Sequence, residues 1–295
     1  MLISENWSNH LLPGLRKTFV NEFAEFTSNI PALYNIQKSE KAQEFDQLTD
    51  TLSDFDVFNG QIPYDDKKES YKATYTHTEY AKGFKVERKL VMDDLYGTIS
   101  KYPGMLALSA RRRREKDAAS VFNNAFNSGY TGGDSLSLCN SAHTSKNSST
   151  TQSNTGVLSL SAANIEATRR SMIKFRDGSD GVIDVNPDLL LVPIDQEETA
   201  WEIINSKGKV DSAQNNVNFH YGKYKLLVWP NFLTSSNNWF FIDSKLMKMF
   251  LLWFDREPVQ MFKDQDFGTL VSAFAGYMRY SSGWSNWPWV FGNQG

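Results

Sequence analysis

The residue types that most often carry nucleophilic or acid–base catalysis are scarce in this sequence. It has one cysteine, Cys139. Its four histidines lie far apart, at His10, His77, His143 and His220. Cys139, Ser141 and Thr144 lie near His143, a set that a hydrolase could use. However, no HExxH, paired CxxC, GxGxxG, Walker A or GxSxG pattern occurs. The sequence also shows no triad with a residue that would orient His143. We interpret Cys139 and His143 as loop residues and predict that the protein is not an enzyme.

Carboxylates occur in pairs at 65–66 and at 93–94. Such pairs can do acid–base work or hold a cation, but acids are also favoured in solvated turns and at helix starts, where the helix dipole stabilises them. The segment DGSDG at 177–181 resembles part of a calcium loop, yet the full pattern with its closing glutamate is absent. We interpret these acids as structural and predict neither a metal nor a cofactor.

The most conspicuous charge run consists of Arg111, Arg112, Arg113 and Arg114. One interpretation is a patch that binds nucleic acid. In a helix, however, consecutive side chains point 100° apart around the axis, so the four cannot form one stripe that faces DNA. Guanidinium groups pair well with carboxylates, and the acidic segment at 40–56 supplies several. The favoured prediction is ion pairs between subunits, with DNA as the alternative.

A cluster of tryptophans near the C-terminal end contains Trp284, Trp287 and Trp289. Indole rings can stack on bases or sugars. Tryptophan is also enriched at protein interfaces. We favour the second interpretation and predict that Trp284 and Trp287 pack at a seam between subunits.

The composition is that of a folded protein with no strong electrostatic preference for a partner. Hydrophobic residues make up 40% of the 295 residues, charged residues 22%, and the formal net charge is -3. This charge does not favour wrapping nucleic acid through phosphate contacts. A single cysteine excludes an intramolecular disulfide and fits a reducing cytoplasm. Because there is neither a signal-peptide pattern at the start nor a stretch of about 18 apolar residues, we predict neither secretion by that route nor a membrane span.

The elements that position these groups begin with an acidic, weakly patterned segment up to residue 59, which is typical of an arm. Residues 64–90 alternate polar with aromatic or small side chains, as a pair of strands does, and neither face is apolar enough for a core. We therefore predict a long two-stranded loop that stands away from its own domain and lies on another subunit. Its candidate contact residues are Lys67, Lys68, Tyr71, Lys72 and Tyr75.

A long amphipathic helix follows the loop. Small and apolar side chains from Met105 to Phe126 keep the 3.6-residue period, which predicts one helix over about 101–127. A loop rich in Gly, Ser and Asn then leads to a helix that begins at the cap Ser161. Residues 246–262 and 273–284 resemble two long strands. Because helices and strands are mixed without a βαβ rhythm, the predicted fold class is α+β.

Four stretches of the chain, in order, carry a resemblance to a known family. They are IPYDDKKESYKATYTHTEYAKGFKVERKLVMDDLYG, SARRRREKDAASVFNNAF, LSLCNSAHTS and VIDVNPDLLLVPIDQEETAWEIIN, and they cover most of residues 60–205. Together they resemble the major capsid (major head) proteins of Mu-like tailed phages, which are expected to have the HK97-type capsid fold. That family usually has Leu and Phe where this chain has Leu138 and Cys139 before the histidine.

The resemblance implies an HK97-like capsid fold with an N-terminal arm at 1–59 and an extended β-hairpin loop at 60–90. It also implies a peripheral domain at 91–177 with the long spine helix, an axial domain at 178–250, and C-terminal strands of the peripheral domain at 251–295. Subunits would self-assemble into hexamers and pentamers of an icosahedral head. They would contact the enclosed double-stranded DNA weakly and without sequence specificity.

The resemblance also implies partner proteins and a location for the subunit. A scaffold protein, a maturation protease, a portal and a decoration protein would join the subunit, without a membrane, and assembly in the host cytoplasm would place it in the virion. Some related shells carry an isopeptide crosslink from a lysine of the extended loop. Lys67, Lys68 and Lys72 are available, but so are lysines of any exposed hairpin, and we do not predict the crosslink.

Two other classes of protein stay open on the sequence. One is another structural virion protein, such as a tail-tube or decoration protein, against which the long helix argues. The other is an enzyme, for instance a hydrolase that uses His143 and nearby acids.

Overall fold

The computed structural model describes residues 7–25, 27–49, 52, 55, 57–62, 64, 69–93, 98–147, 150–208, 216–266, 268–269 and 271–295. The helices are α1 (Trp7–Glu25), α2 (Ile30–Leu33), α3 (Arg88–Met92), α4 (Tyr102–Asn123), α5 (Ala162–Met172), α6 (Glu197–Asn205) and α7 (Ser244–Phe250). The strands are β1 (Asn35–Lys38), β2 (Gln43–Thr49), β3 (Glu69–Thr76), β4 (Thr78–Glu87), β5 (His143–Thr144), β6 (Thr151–Gln152), β7 (Thr155–Gly156), β8 (Leu189–Val192), β9 (Lys225–Val228), β10 (Trp239–Ile242), β11 (Leu251–Asp266), β12 (Val271–Trp284) and β13 (Val290–Asn293). Within these ranges no helix is long and apolar enough to cross a membrane.

A four-stranded sheet with the order β1-β11-β12-β4 contains the two longest strands. β11 and β12 form an antiparallel hairpin, β4 adds antiparallel to β12, and β1 adds parallel to β11. Gly83 on β4 permits this close pairing, because a Cβ at that position would lie 2.5 Å from the carbonyl oxygen of Phe274. The prediction of two long strands near the C-terminal end is confirmed, except that residues 246–250 belong to α7.

α1 and α4 cover one face of this sheet and pack against each other. Their shared core contains Phe19 of α1, Leu106 of α4, Val86 of β4 and Phe274 of β12. Full burial of a side chain of this size contributes about 1.5–3 kcal/mol relative to exposure. This core fixes the long helix on the sheet.

A five-stranded sheet with the order β7-β13-β10-β8-β9 forms a second core, which α5 and α6 flank. β10 lies at its centre, antiparallel to both β13 and β8, and all four of its side chains are buried. The side chain of Ser161 accepts a hydrogen bond from Asn164 N at 3.2 Å, so the predicted cap of α5 is confirmed. The mixed α+β class is also confirmed.

α4 runs from one core to the other, which makes it a spine of the subunit. Leu106 belongs to the first core and Phe122 to the second. The helix was predicted correctly, but its buried face was predicted one residue out of phase in the first half, since Met105 is 62% exposed and Leu106 is buried. The cause is Arg111 and Glu115, two charged residues that are buried on the inner face and so hide its period.

The prediction of a hairpin over residues 60–90 is wrong in its pairing. β3 pairs antiparallel with β2, and β4 pairs with β12, so the two predicted strands belong to different sheets and His77 is the one residue between them. The projecting pair is therefore β2 and β3, which includes part of the predicted arm at 1–59. Ala73 and Tyr75 also cover Leu252 and Phe254 of the same chain, because alternate side chains of β3 face β11.

The sheets place two other segments differently from the predicted domains. β13 lies in the five-stranded sheet, although residues 251–295 were assigned to the peripheral domain. α5 contacts β10 and β13 of the same sheet, although residues 91–177 were assigned to the peripheral domain. The order of elements in the sequence did not predict that β13 joins the five-stranded sheet, because β13 returns to the second core only after the long hairpin of β11 and β12.

Candidate functional site

The loop that joins β2 to β3, residues 50–68, carries exposed apolar side chains, and we call it the tip. The described members are Leu52, Phe55, Val57, Phe58, Ile62 and Tyr64. Their exposed fractions run from 64% for Ile62 to 107% for Phe55. Single exposed apolar residues are ordinary, but a concentration of them on one loop marks a surface that another molecule covers. We had assigned residues up to 59 to an arm and residues from 60 to the extended loop, and the apolar residues between the aspartates were the signal that we missed.

The residues predicted to contact a neighbour from this loop have different surroundings. Lys67 and Lys68 lie outside the described residues. Tyr75 is buried, with its ring centroid 5.1 Å from that of Phe254, so it stabilises its own subunit. Lys72 is exposed, and its Nζ lies 3.9 Å from the ring centroid of Phe45 on β2. Tyr71 is partly buried and lines a cavity of about 360 Å³ beneath β2 and β3.

The two-stranded unit of β2 and β3 is attached to the four-stranded sheet by a buried cluster around His77. Nε2 of His77 lies 2.9 Å from Oγ of Ser39, which directly follows β1, and Nδ1 lies 2.9 Å from Oγ of Ser281 on β12. Ser39 also donates a hydrogen bond to Glu44 on β2 at 2.8 Å. Ser39 lies where the chain passes from β1 to β2, and His77 lies where it passes from β3 to β4. One imidazole therefore joins both of these connections to β12. This cluster holds the two-stranded unit of β2 and β3 against the four-stranded sheet.

We expect His77 to contribute to a loss of stability as the pH falls. Burial and then the charge of Arg279 lower its pKa, while Glu44 opposes that shift. The unfolded chain takes up the proton near the ordinary histidine pKa of about 6.5, so the contribution of the neutral imidazole is present above that pH and is lost as the pH falls to the lowered value. His77→Gln should therefore flatten the dependence of the urea midpoint between about pH 7.5 and 5.5.

A matched variant separates this effect from a general response to acid. Burial also lowers the pKa of His220, which contacts Tyr224 beside the five-stranded sheet. His220→Gln should remove a separate share of the pH dependence, and the double variant should remove both shares. A His77→Gln variant with the wild-type slope would show that His77 is not involved.

The arginine run has partners inside the subunit for three of its four members. Arg111 is buried and donates to the carbonyl oxygen of Phe23 at 3.2 Å. Arg113 pairs with Asp117 at 2.8 Å, and Arg114 with Asp255 at 3.0 Å. We therefore correct the expectation of ion pairs between subunits for Arg111 and Arg114, whose guanidinium groups fasten α4 to other elements of its own chain. Arg113 pairs within α4 and keeps 46% of its side chain exposed, so for it the intersubunit contact stays a prediction. Arg112 is exposed, and for it an intersubunit contact stays a prediction.

The predicted seam tryptophans are buried within the subunit. Trp284 is 6% exposed and packs against Tyr130, with ring centroids 5.4 Å apart. Trp287 is 8% exposed and stacks on His143 at 4.5 Å. Their position in the second core leaves little surface for a neighbour, which corrects the prediction that they pack at a seam.

His143 was predicted to be a polar loop residue, and this is wrong. It is fully buried on the short strand β5, and its Nδ1 lies 2.7 Å from Oδ2 of Asp134. No motif relates these two residues, so the pair could not be predicted from the sequence. A His–Asp pair can activate a nucleophile, but no described group is hydrogen-bonded to the buried Nε2. Burial also raises the pKa of the Cys139 thiol, which disfavours a reactive thiolate.

Among the acidic motifs, the structure describes the whole of the segment DGSDG at 177–181, which forms a turn. Oδ1 of Asp177 accepts hydrogen bonds from the backbone N–H groups of Ser179 at 2.9 Å and Gly181 at 2.7 Å. Asp93 is exposed in the turn that follows α3, in agreement with the interpretation of these acids as turn or helix-start residues. Asp65, Asp66 and Asp94 lie outside the described residues. Among the described residues no group of three or more His, Cys, Asp or Glu is placed to hold a metal ion.

Solved structures identify the fold. The mature capsid of bacteriophage PhiM1 matches with a TM-score of 0.58 and 13% identity over 91% of this chain and 87% of that chain. The capsid of Cyanophage P-SCSP1u matches with a TM-score of 0.59 and 10% identity over 88% and 86%. The capsid of bacteriophage JBD30 decorated with minor capsid protein trimers matches with 0.59 and 12% over 71% and 92%. The fold is therefore the HK97-like fold of phage capsid subunits.

The comparison with family models shows which protein family the chain belongs to. The family model described as phage capsid protein matches residues 70–292. The chain therefore belongs to the phage capsid protein family. No curated protein sequence matches it. The finer resemblance to Mu-like phages stays a prediction.

Proposed function

We propose that the chain is the major capsid protein of a tailed phage and builds the head by self-assembly into hexamers and pentamers. The observation that carries the proposal is the exposed apolar tip on the projecting pair of β2 and β3. A surface of this kind is stabilised when a neighbouring copy removes it from water. The tip of every copy therefore needs a receiving surface on another copy, which favours a closed assembly.

The subunit is built for assembly and not for catalysis. The buried Arg111, the partly buried Arg114 and the histidines His77 and His143 are engaged in fastening elements of one chain together. A subunit with a net charge of -3 binds the enclosed double-stranded DNA weakly and without sequence specificity. The two-stranded unit of β2 and β3 serves as the extended loop, the four-stranded sheet with α4 as the peripheral domain, and the five-stranded sheet as the axial domain.

Other proteins complete the head in this proposal. A scaffold protein and a maturation protease act during assembly in the host cytoplasm, and a portal and a decoration protein join the shell. The decorated capsid of bacteriophage JBD30, whose subunit resembles this chain in fold, supports the last of these. The finished subunit is part of the virion.

The proposal predicts that the expressed protein forms closed shells, or free pentamers and hexamers, alone or with a neighbouring scaffold gene product. Sedimentation and negative-stain microscopy measure this directly. Rings or tubes without closed shells would support a tail-tube protein instead. A compact monomer under both conditions would contradict self-assembly, and an activity screen of wild type against His143→Ala would then test the enzyme class.

A further inference from the structure

The tip contains the only pair in the sequence in which glycine directly follows asparagine, Asn59 and Gly60. Asparagine is a thermolabile residue, because the backbone nitrogen of the next residue can attack its side-chain amide carbon. Glycine is the most favourable next residue, since it has no Cβ to block that approach. Whether the reaction occurs in a folded protein depends on how firmly the structure holds the two residues.

The structure leaves this pair without restraint. Asn59 and Gly60 are both exposed. Gly60 has a φ of 103°, which glycine adopts without strain, and a Cβ added there would meet no described atom within 4 Å beyond its chain neighbours. No hydrogen bond to another residue of the described chain holds the Asn59 amide or the Gly60 N–H. An exposed loop of this kind reaches a reactive geometry at little cost in free energy.

Other groups that can undergo the same ring closure are held in place. The amide of Asn154 is buried and donates to the carbonyl oxygen of Leu138 at 2.8 Å. Asp177 precedes Gly178, and an aspartate–glycine pair can form the same ring, but Oδ1 of Asp177 already accepts two backbone N–H groups of its turn. The tip therefore combines the reactive pair with an unrestrained backbone.

We propose that Asn59 is a site of spontaneous deamidation in the unassembled subunit, and that conversion lowers the capacity to assemble. The backbone nitrogen of Gly60 loses its proton to hydroxide and bonds to Cγ of Asn59, which closes a five-membered succinimide. The bond from Cγ to the side-chain nitrogen breaks, and this nitrogen leaves as ammonia. Water then opens the ring at either carbonyl, which gives aspartate or isoaspartate.

The product places a carboxylate among the exposed apolar residues of the tip. Val57 and Phe58 precede it and Ile62 follows, with exposed fractions of 92%, 69% and 64%. Removal of a charge from water is costly unless an opposite charge or hydrogen bonds compensate it. Converted subunits should therefore enter shells less than unconverted ones. This effect on assembly rests on the proposed function, whereas the chemical step does not.

Peptide mapping of the free subunit tests the chemical step. Trypsin cleaves after Lys41 and Lys67, and Asn59 is the only asparagine between them, so mass spectrometry of residues 42–67 measures conversion at one site. A synthetic peptide of the same residues gives the rate without a fold. The rate in the subunit should lie within about fivefold of the peptide rate, as for an exposed loop, and should rise with pH because hydroxide removes the proton. A slower rate would overturn the site.

Two controls accompany this measurement. Asn59→Gln should stay unconverted over the same period, because its longer side chain would have to close a larger ring. Asn205 is exposed in the same protein but precedes Ser206, so it should convert at least about tenfold more slowly, since a Cβ hinders the attack. Equal conversion of Asn59 and Asn205 would show that the glycine pair is not the site.

Assembly from a partly converted pool tests the consequence. The converted form should be at least about threefold less abundant in shells than in the free pool, because its charge opposes burial of the tip. Asn59→Asp should likewise need a higher protein concentration to form shells. Equal shares of the converted form in shells and pool would overturn the effect on assembly and leave the modification in place. Absence of shells from the fresh wild-type chain would contradict the proposed function, while conversion of the free subunit would still be measurable.

Discussion

Replacement of Glu115 by alanine should lower the free energy of unfolding of the subunit by about 3–5 kcal/mol, the cost of breaking a buried charge pair. The carboxylate is buried at the middle of α4, where it accepts hydrogen bonds from Oγ of Ser28 and from Nε1 of Trp229 at 3.1 Å. The nearby charge of Arg111 is also buried, and its pKa is lowered by burial and raised by Glu115. The variant would leave the buried charge of Arg111 without the opposite charge of Glu115, and the indole N–H of Trp229 without its acceptor.

Two variants distinguish this effect from a loss of helix propensity. Glu115→Gln keeps an acceptor for Trp229 but removes the charge, so its loss should be smaller, about 1–3 kcal/mol. Lys116→Ala, at an exposed position of the same helix, should change stability by no more than about 0.5 kcal/mol. Urea unfolding of the isolated subunit measures all three. If Glu115→Ala and Lys116→Ala were equally stable, the buried cluster would not support the helix.

The sequence predicted α4 but not the residues of other elements that its charged side chains bind. The period of Met105, Leu108, Ala119 and Phe122 was enough to predict a helix, although it placed the buried face of the first half one residue out of phase. The partners of Glu115 are 87 and 114 residues away, and no local rule relates positions so far apart. For the same reason the arginine run was expected to pair with other subunits, while Arg114 meets Asp255 of its own chain.

Strands were also easier to predict than their partners. The alternation of Tyr71 to Thr78 indicated β structure, and the buried and exposed faces of β3 follow it. Alternation gives the faces of a strand but not its neighbour, and the nearest strand in sequence was chosen wrongly. β3 pairs with β2, and the tip that joins these two strands is too long for the pairing to be recognised from the sequence. The overall fold was nevertheless predicted correctly, because four stretches in one order specify a topology better than any single pairing.

The largest effect on assembly should come from the double variant Phe55→Ser/Phe58→Ser. Both side chains are exposed in the single chain, so the free energy of unfolding should change by no more than about 0.5 kcal/mol. Assembly would lose the burial of two phenylalanines at each contact, roughly 3–6 kcal/mol at about 1.5–3 kcal/mol each. The protein concentration at which shells form should therefore rise by at least about a hundredfold.

Sedimentation of shells over a dilution series measures that concentration. Val182→Ser is the matched control, because Val182 is 73% exposed and follows the turn at 177–181, outside the tip. It should assemble like the wild-type chain, since loss of one apolar side chain outside the contact removes no buried area. Shells from the double variant at wild-type concentrations would mean that the exposed phenylalanines are not covered on assembly. The stability of the shell would then have to come from the two sheets, whose described apolar side chains are largely buried within each subunit.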